Sequence, residues 1–284
     1  MAFDTTRLLN QVNIKGSLPE GRFTNEEILD LAYDCLLSEI VPMVLEAREE
    51  FLVTYVDLPI VAGQAEYSIP SRALNGVLRE VKIIAGTSII NVERKNLEDL
   101  TDSAAGTPKY FFIAGNDVGL YPTPATTENT LRLYYFIRPS KLVPVIETAR
   151  ITNITGNTVS VSIPSTWTTS NTFDLVRGKA HFDILATDLI ASTVAGGVIT
   201  FTTNVPSKLV VGDYVTLAEE TCFPFLPPEG HTALVQAAAT AALESMGDPL
   251  AGQSAEKTKM LKDTFQSILK LRVQGQTTLG TRLL

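Results

Sequence analysis

The sequence has 284 residues, 45% hydrophobic and 19% charged, a balance that suits a folded globular protein of one large domain or two ordinary ones. Its 23 basic and 31 acidic residues give a net charge of -8, which excludes a surface built to hold nucleic acid by neutralising phosphates. The charge is uneven: residues 257–284 hold six basic residues against one acid, a local +5, so the preceding chain carries -13.

Residues 5–12 read as a short helix and 16–21 as a loop. Thr24 followed three residues later by Glu27 forms a capping box, in which each side chain satisfies an orphan backbone N–H, so a helix is expected from there to about Phe51. Its apolar stripe is Ile28, Leu31, Ala32, Cys35, Leu36, Ile40, Met43, Val44 and Ala47, at spacings of three and four. Pro42 lies inside this stretch, lacks an N–H and crowds the preceding turn, so a kink is expected there.

After Leu52 the period becomes two. Val53, Tyr55, Leu58 and Ile60 lead to the Gly63-Gln64 turn and to Tyr67-Ser68-Ile69-Pro70, which reads as a strand pair. Further strands are expected at 77–84 and 88–94, joined at Gly86-Thr87, then at 110–113 and 118–121 across Gly115-Asn116-Asp117, and at 130–137. In the last, Leu131, Leu133, Tyr135 and Ile137 share one face. Arg132, Tyr134 and Phe136 share the other, which is apolar enough for a cover to be expected there too.

Residues 151–217 hold seven charged residues in 67 and are rich in Thr, Ser and Val, which suits pleated surfaces. They contain an internal echo: Gly156-Asn157-Thr158-Val159-Ser160-Val161 then Pro164-Ser165, against Gly197-Val198-Ile199-Thr200-Phe201 then Pro206-Ser207. Each is followed by another strand, at 172–176 and 213–217, giving two related β units. Helix returns after Pro227-Pro228, with Leu234, Ala237, Ala238, Ala241, Ala242 and Met246 inward and Gly247 as the stop. A last helix is expected over 254–273, with Met260, Leu261, Phe265, Ile268, Leu269 and Leu271 as its apolar positions.

The expected fold class is therefore α+β. N- and C-terminal helices form a bundle, joined to an antiparallel β-sandwich-like domain and a second β insertion. The expected divisions are 1–52 helical, 53–145 antiparallel β, 146–222 the Thr-rich β insertion, 223–275 the helices that complete the bundle, and 276–284 a flexible tail.

No reactive constellation stands out. His181 and His231 are the two histidines, no G-x-S-x-G elbow accompanies them, and a Ser-His-Asp set is not expected. Cys35 and Cys222 read as buried thiols, and with two scattered histidines they lack the spacings of a zinc site. Neither a P-loop nor a dinucleotide G-x-G-x-x-G is present, so no cofactor is expected. The acidic pairs Glu26-Glu27, Glu49-Glu50 and Glu219-Glu220 fall at element boundaries and read as solvated or capping groups. No run approaches the roughly 18 apolar residues of a membrane span, and the opening residues lack a signal-peptide core, so a cytosolic protein without a membrane partner is expected. The sequon at Asn153-Ile154-Thr155 reads as chance.

A succession of short motifs is more informative: a helix, then Tyr67-Ser68-Ile69-Pro70, Thr107-Pro108-Lys109-Tyr110-Phe111, Leu120-Tyr121-Pro122-Thr123-Pro124, and a strand ending in Arg138-Pro139. Over about residues 24–140 this resembles the head-to-tail adaptor (connector, or neck) proteins of tailed bacteriophages. The resemblance implies a structural protein of the virion neck, assembled in the host bacterial cytoplasm and without an active site. It implies self-association into a ring, usually of twelve, between the portal protein and a tail or nozzle protein, with genomic DNA passing through unbound. Under that reading the basic end docks on the portal through Lys270, Arg272, Gln274, Thr277, Leu279, Arg282, Leu283 and Leu284, and acids facing the channel repel phosphates. Two other readings stay open: a receptor- or glycan-binding virion β protein, motivated by the Thr-rich insertion and Trp167, and a virion-carried hydrolase.

Overall fold

A computed structural model describes residues 3–100, 105–127, 129–178 and 183–271. Its contacts divide the chain into two units, Glu49–Arg138 and the remainder, Met1–Arg48 with Pro139–Leu284. The architecture is α+β, with helices from both ends of the chain packed together, a curled seven-stranded sheet and a closed six-stranded barrel.

Helix α1 (Thr5–Gly16) starts at Asp4, whose side chain accepts from the Arg7 N–H. Helix α2 (Asn25–Cys35) opens on the expected capping box: Glu27 N–H donates to Thr24 Oγ1 at 3.2 Å and Thr24 N–H to Glu27 Oε2 at 2.7 Å. The helical path then continues through a π turn (Leu36–Ile40), helix α3 (Val41–Arg48) and a 3-10 turn (Glu49–Leu52). The irregularity expected at Pro42 thus takes the form of a widened turn just before it, with Val41 N–H bonded to Leu36 O. Widening relieves the clash of the proline ring with the carbonyl of the preceding turn. Leu29 and Val41 are buried along this path, and Leu31, Met43 and Ala47 are half-buried.

The unit Glu49–Arg138 holds β1 (Val53–Pro59), β2 (Glu66–Ser68), β3 (Ala73–Ala85), β4 (Ser88–Arg94), β5 (Tyr110–Ala114), β6 (Asp117–Tyr121) and β7 (Thr130–Ile137), in the order β1-β7-β3-β4-β5-β6-β2. All neighbours are antiparallel except β4 and β5. The sheet wraps over one core of Ile60, Tyr67, Val81, Ile83, Val92, Phe111, Val118, Leu120, Leu131 and Leu133. Strand β7 alternates as expected, with Leu131, Leu133, Tyr135 and Ile137 buried. Gly119 has a packing reason to be glycine, because a Cβ there would fall 2.1 Å from Phe112 Cζ, whose ring lies over the bare backbone.

The other face of β7 is a half-exposed polar ladder instead of a covered surface. Arg132 grips Asp57 with two hydrogen bonds of 2.7 Å and lies 4.1 Å from the Tyr55 ring centroid, while Lys82 sits over Tyr134. Cross-strand ion and cation–π pairs let this face stay wet. Tyr55 belongs to it, so Val56 and Leu58 are the core-facing residues of β1.

Strand β8 (Lys141–Leu142) later pairs with β15 (Glu220–Thr221), and between them lie β9 (Ala149–Thr155), β10 (Thr158–Val161), β11 (Thr172–Val176), β12 (Ile184–Ala195), β13 (Val198–Phe201) and β14 (Tyr214–Leu217). The six inner strands close a barrel in the order β10-β13-β12-β11-β14-β9. The echo in the sequence becomes a two-fold repeat of structure, with residues 40 apart taking equivalent places. Val159 pairs with Ile199 and Leu175 with Val215, while Val161 N–H donates to Gly197 O and Phe201 N–H to Asn157 O. Both hairpins are irregular at the same place, where Thr152 Oγ1 donates to Ser160 O and Ser192 Oγ to Thr200 O. Trp167, Phe173 and Phe201 fill the barrel. Buried Asp174 and Asp213 each accept backbone N–H groups at the β11–β14 pair.

Helix α4 (His231–Met246) ends at Gly247, in the left-handed conformation with φ 66°, where a side chain would be strained. Its alanines let it pack against α1, α2 and α5 (Ala251–Leu271).

Candidate functional site

The C-terminal helix is built to be held firmly. Thr258, Phe265 and Leu269 of α5 are buried. Where α4 meets α5, Thr240 Oγ1 lies 2.7 Å from Ser254 Oγ and 2.8 Å from Thr258 Oγ1, and Gln236 Nε2 donates to Ser254 Oγ at 2.9 Å. Buried hydroxyls are tolerated when they satisfy one another, and this network fixes the register of the two helices.

The basic end of the sequence is partly neutralised by acids far away in the chain. Lys262 pairs with Glu39 of the π turn, Lys270 Nζ lies 3.3 Å from Glu46 Oε1, and Gln266 Nε2 donates to Glu46 Oε2. Such half-exposed pairs contribute about 0–1 kcal/mol each. They do mean that Lys270, one of the residues expected to meet a portal, is already engaged. The other seven, Arg272, Gln274, Thr277, Leu279, Arg282, Leu283 and Leu284, lie outside the described residues.

Cavities among the described residues include one beside these helices and one beside α1 and the barrel. The first, about 360 Å³, lies between the helices and is lined by Cys35, Glu39, Thr240, Thr258, Lys262 and Gln266 among others. Burial, and after it the charge of Glu39, pushes the Cys35 thiol up to about 12, so it stays protonated at neutral pH and is a poor nucleophile. Cys222, also buried, is likewise pushed up to about 12. The second cavity, about 530 Å³, is lined by Asp4, Arg7, Asn10, Arg150, Tyr214 and Phe223 among others.

Near it, His231 stacks on Phe3 at 4.1 Å, and Arg7 lies on that ring at 5.6 Å. Burial, helped by Arg7, pulls the His231 pKa down to about 4. A depressed histidine favours the fold while neutral. Stability is therefore full above the unfolded value of about 6.5 and falls as pH drops through that value towards 4. Urea midpoints at pH 7.5 and 5 should show a smaller acid loss in His231→Gln than in the parent chain; equal losses would refute this role. His181 lies outside the described residues.

The acidic pairs take structural places. Glu27 caps α2, Glu49 lies 2.9 Å from Arg79, and Glu219 N–H donates to Asp174 Oδ2. Glu220 has its carboxyl pKa raised by burial and by Glu147, but it lines neither cavity. Trp167 is buried against Phe173 with ring centroids 5.3 Å apart, so it offers no surface platform for a sugar. Among the described residues no three of His, Cys, Asp and Glu form a metal-holding group, and no helix is long and apolar enough to cross a membrane.

A family model described as SU10 adaptor protein matches residues 5–170. The match begins at α1, takes in the whole curled sheet and stops between β10 and β11, so it includes only two of the six barrel strands. No curated protein matches the chain.

Proposed function

We propose that this chain, which belongs to the SU10 adaptor protein family of phage head-tail adaptors, forms a ring, usually of twelve copies, under the portal and joins it to the tail or nozzle. The observation that carries this reading is the family match, which spans the motifs from Tyr67 to Pro139. In this role the chain works by shape and surface, and the genome passes without being held. An acidic chain supports that, since carboxylates near a channel repel phosphates.

The portal contact is assigned to the end of α5 and the residues after it, namely Lys270, Arg272, Gln274, Thr277, Leu279, Arg282, Leu283 and Leu284. Basic and leucine residues alternate there with small polar ones, the composition of a segment that binds by laying apolar anchors and charges on a preformed surface. Co-sedimentation of the full chain with portal particles tests the proposal. Retention on the portal, with no retention on immobilised glycans, is the expected result; glycan binding without portal binding would favour the receptor-binding reading.

A further inference from the structure

Among the described residues, strands β4 and β1 each keep a stretch of backbone edge with no strand beside it. Strand β5 pairs with β4 only at Glu93 and Arg94, which leaves residues 88–92 open on that side. Strand β1 pairs only with β7, and its far end is closed where Val61 N–H donates to Tyr67 Oη at 2.9 Å, which leaves residues 53–57 open.

The hydrogen bonds already made tell which groups point outward. Glu93 N–H donates to Lys109 O and Lys95 N–H to Phe111 O, so by alternation Ile89 and Asn91 also turn their backbone groups away from β3. Ile60 N–H donates to Asn129 O on the β7 side, so Tyr55 and Asp57 turn theirs away from β7. Exposed apolar side chains mark both edges: Ile89 is 62% exposed, Ile90 36% and Tyr55 52%. An open apolar edge is a template for another strand.

Direction and facing select the partner. The strands β1-β7-β3-β4 alternate in direction, so β4 runs opposite to β1. A second copy related by simple rotation therefore brings its β1 antiparallel to the first copy's β4. Tyr55 and Asp57 share the outer face with Arg132 and Tyr134, and the pairs Asp57–Arg132, Arg132–Lys82 and Lys82–Asn91 carry that face across to β4. Joining the edges thus continues outer face onto outer face, and sets Ile90 on the core side of the seam. Placing Ile89 opposite Tyr55 covers the most exposed apolar residue of each edge.

We propose that residues 88–91 of one copy pair antiparallel with residues 53–56 of the next, and that this seam links neighbours in the ring; the ring itself rests on the adaptor reading above. The contact uses two different patches on each copy, which is the kind that closes into a ring on rotation.

The test is directed cross-linking in the full chain assembled on portal particles. Tyr55→Cys and Ile89→Cys chains are mixed, oxidised and resolved without reductant; the native thiols are buried and stay silent. Dimers joining one chain of each kind are expected, and a chain carrying both substitutions should give a ladder of multimers. Asn91→Pro, which removes an outward N–H that the β3 ladder does not use, should keep the circular dichroism of the parent and lower ring yield at least tenfold. Rings seen by electron microscopy without this cross-link, Ile89→Cys joined to itself, or a cross-link to the portal would each overturn the seam while leaving the adaptor reading intact. Absence of any ring would overturn the adaptor reading, and the seam with it.

Discussion

Removing residues 275–284 should leave a folded chain that no longer binds portal particles. The deletion takes Thr277, Leu279, Arg282, Leu283 and Leu284, three of them leucines that serve as apolar anchors under the proposed contact. Burying one such side chain is worth about 1.5–3 kcal/mol, and a few anchors of this kind dominate most interfaces. A loss of at least a hundredfold in affinity, about 2.8 kcal/mol, is therefore expected. The Phe265 and Leu269 packing and the Thr240–Thr258 network all lie before the cut, so thermal unfolding should be unchanged. Binding of the shortened chain at the parent affinity would remove the assignment of the portal contact.

The second large effect is on the barrel. Phe173 is fully buried, packed against Trp167 on one side and Phe201 on the other. Phe173→Ala should destabilise by about 3–5 kcal/mol, since the loss of transfer free energy is joined by a cavity that β strands on both sides cannot collapse into. Trp167 is the lone tryptophan of the chain and lies in this core, so its fluorescence during urea denaturation reports the barrel directly. The exposed Thr155→Ala should stay within about 0.5 kcal/mol of the parent. A shift of under 1 kcal/mol for Phe173→Ala would mean that the barrel core is not the cooperative unit described.

Local signals were legible in the sequence and long-range ones were not. The capping box at Thr24, the alternation of β7 and the stop at Gly247 are properties of adjacent residues, and each appears where expected. The echo at Gly156 and Gly197 was visible because hairpin turns need particular residues. Strands β9 and β12, the other arms of those hairpins, were hidden: their bulges at Thr152 and Ser192 break the two-residue period. Closure of the barrel depends on β10 meeting β13 and β11 meeting β14, pairings across about 40 residues that no local period encodes. The same limit applies to the candidate site. Counting charges along the chain separates an acidic body from a basic end, yet Glu39 and Glu46 come alongside Lys262 and Lys270 only after folding.

Copies of this chain that build a ring continuing the portal towards the tail should be visible by electron microscopy of portal particles incubated with the full-length chain. A closed ring of added density is expected at one end of the portal, coaxial with its channel. Portal particles that remain bare at saturating concentrations of the chain would contradict it.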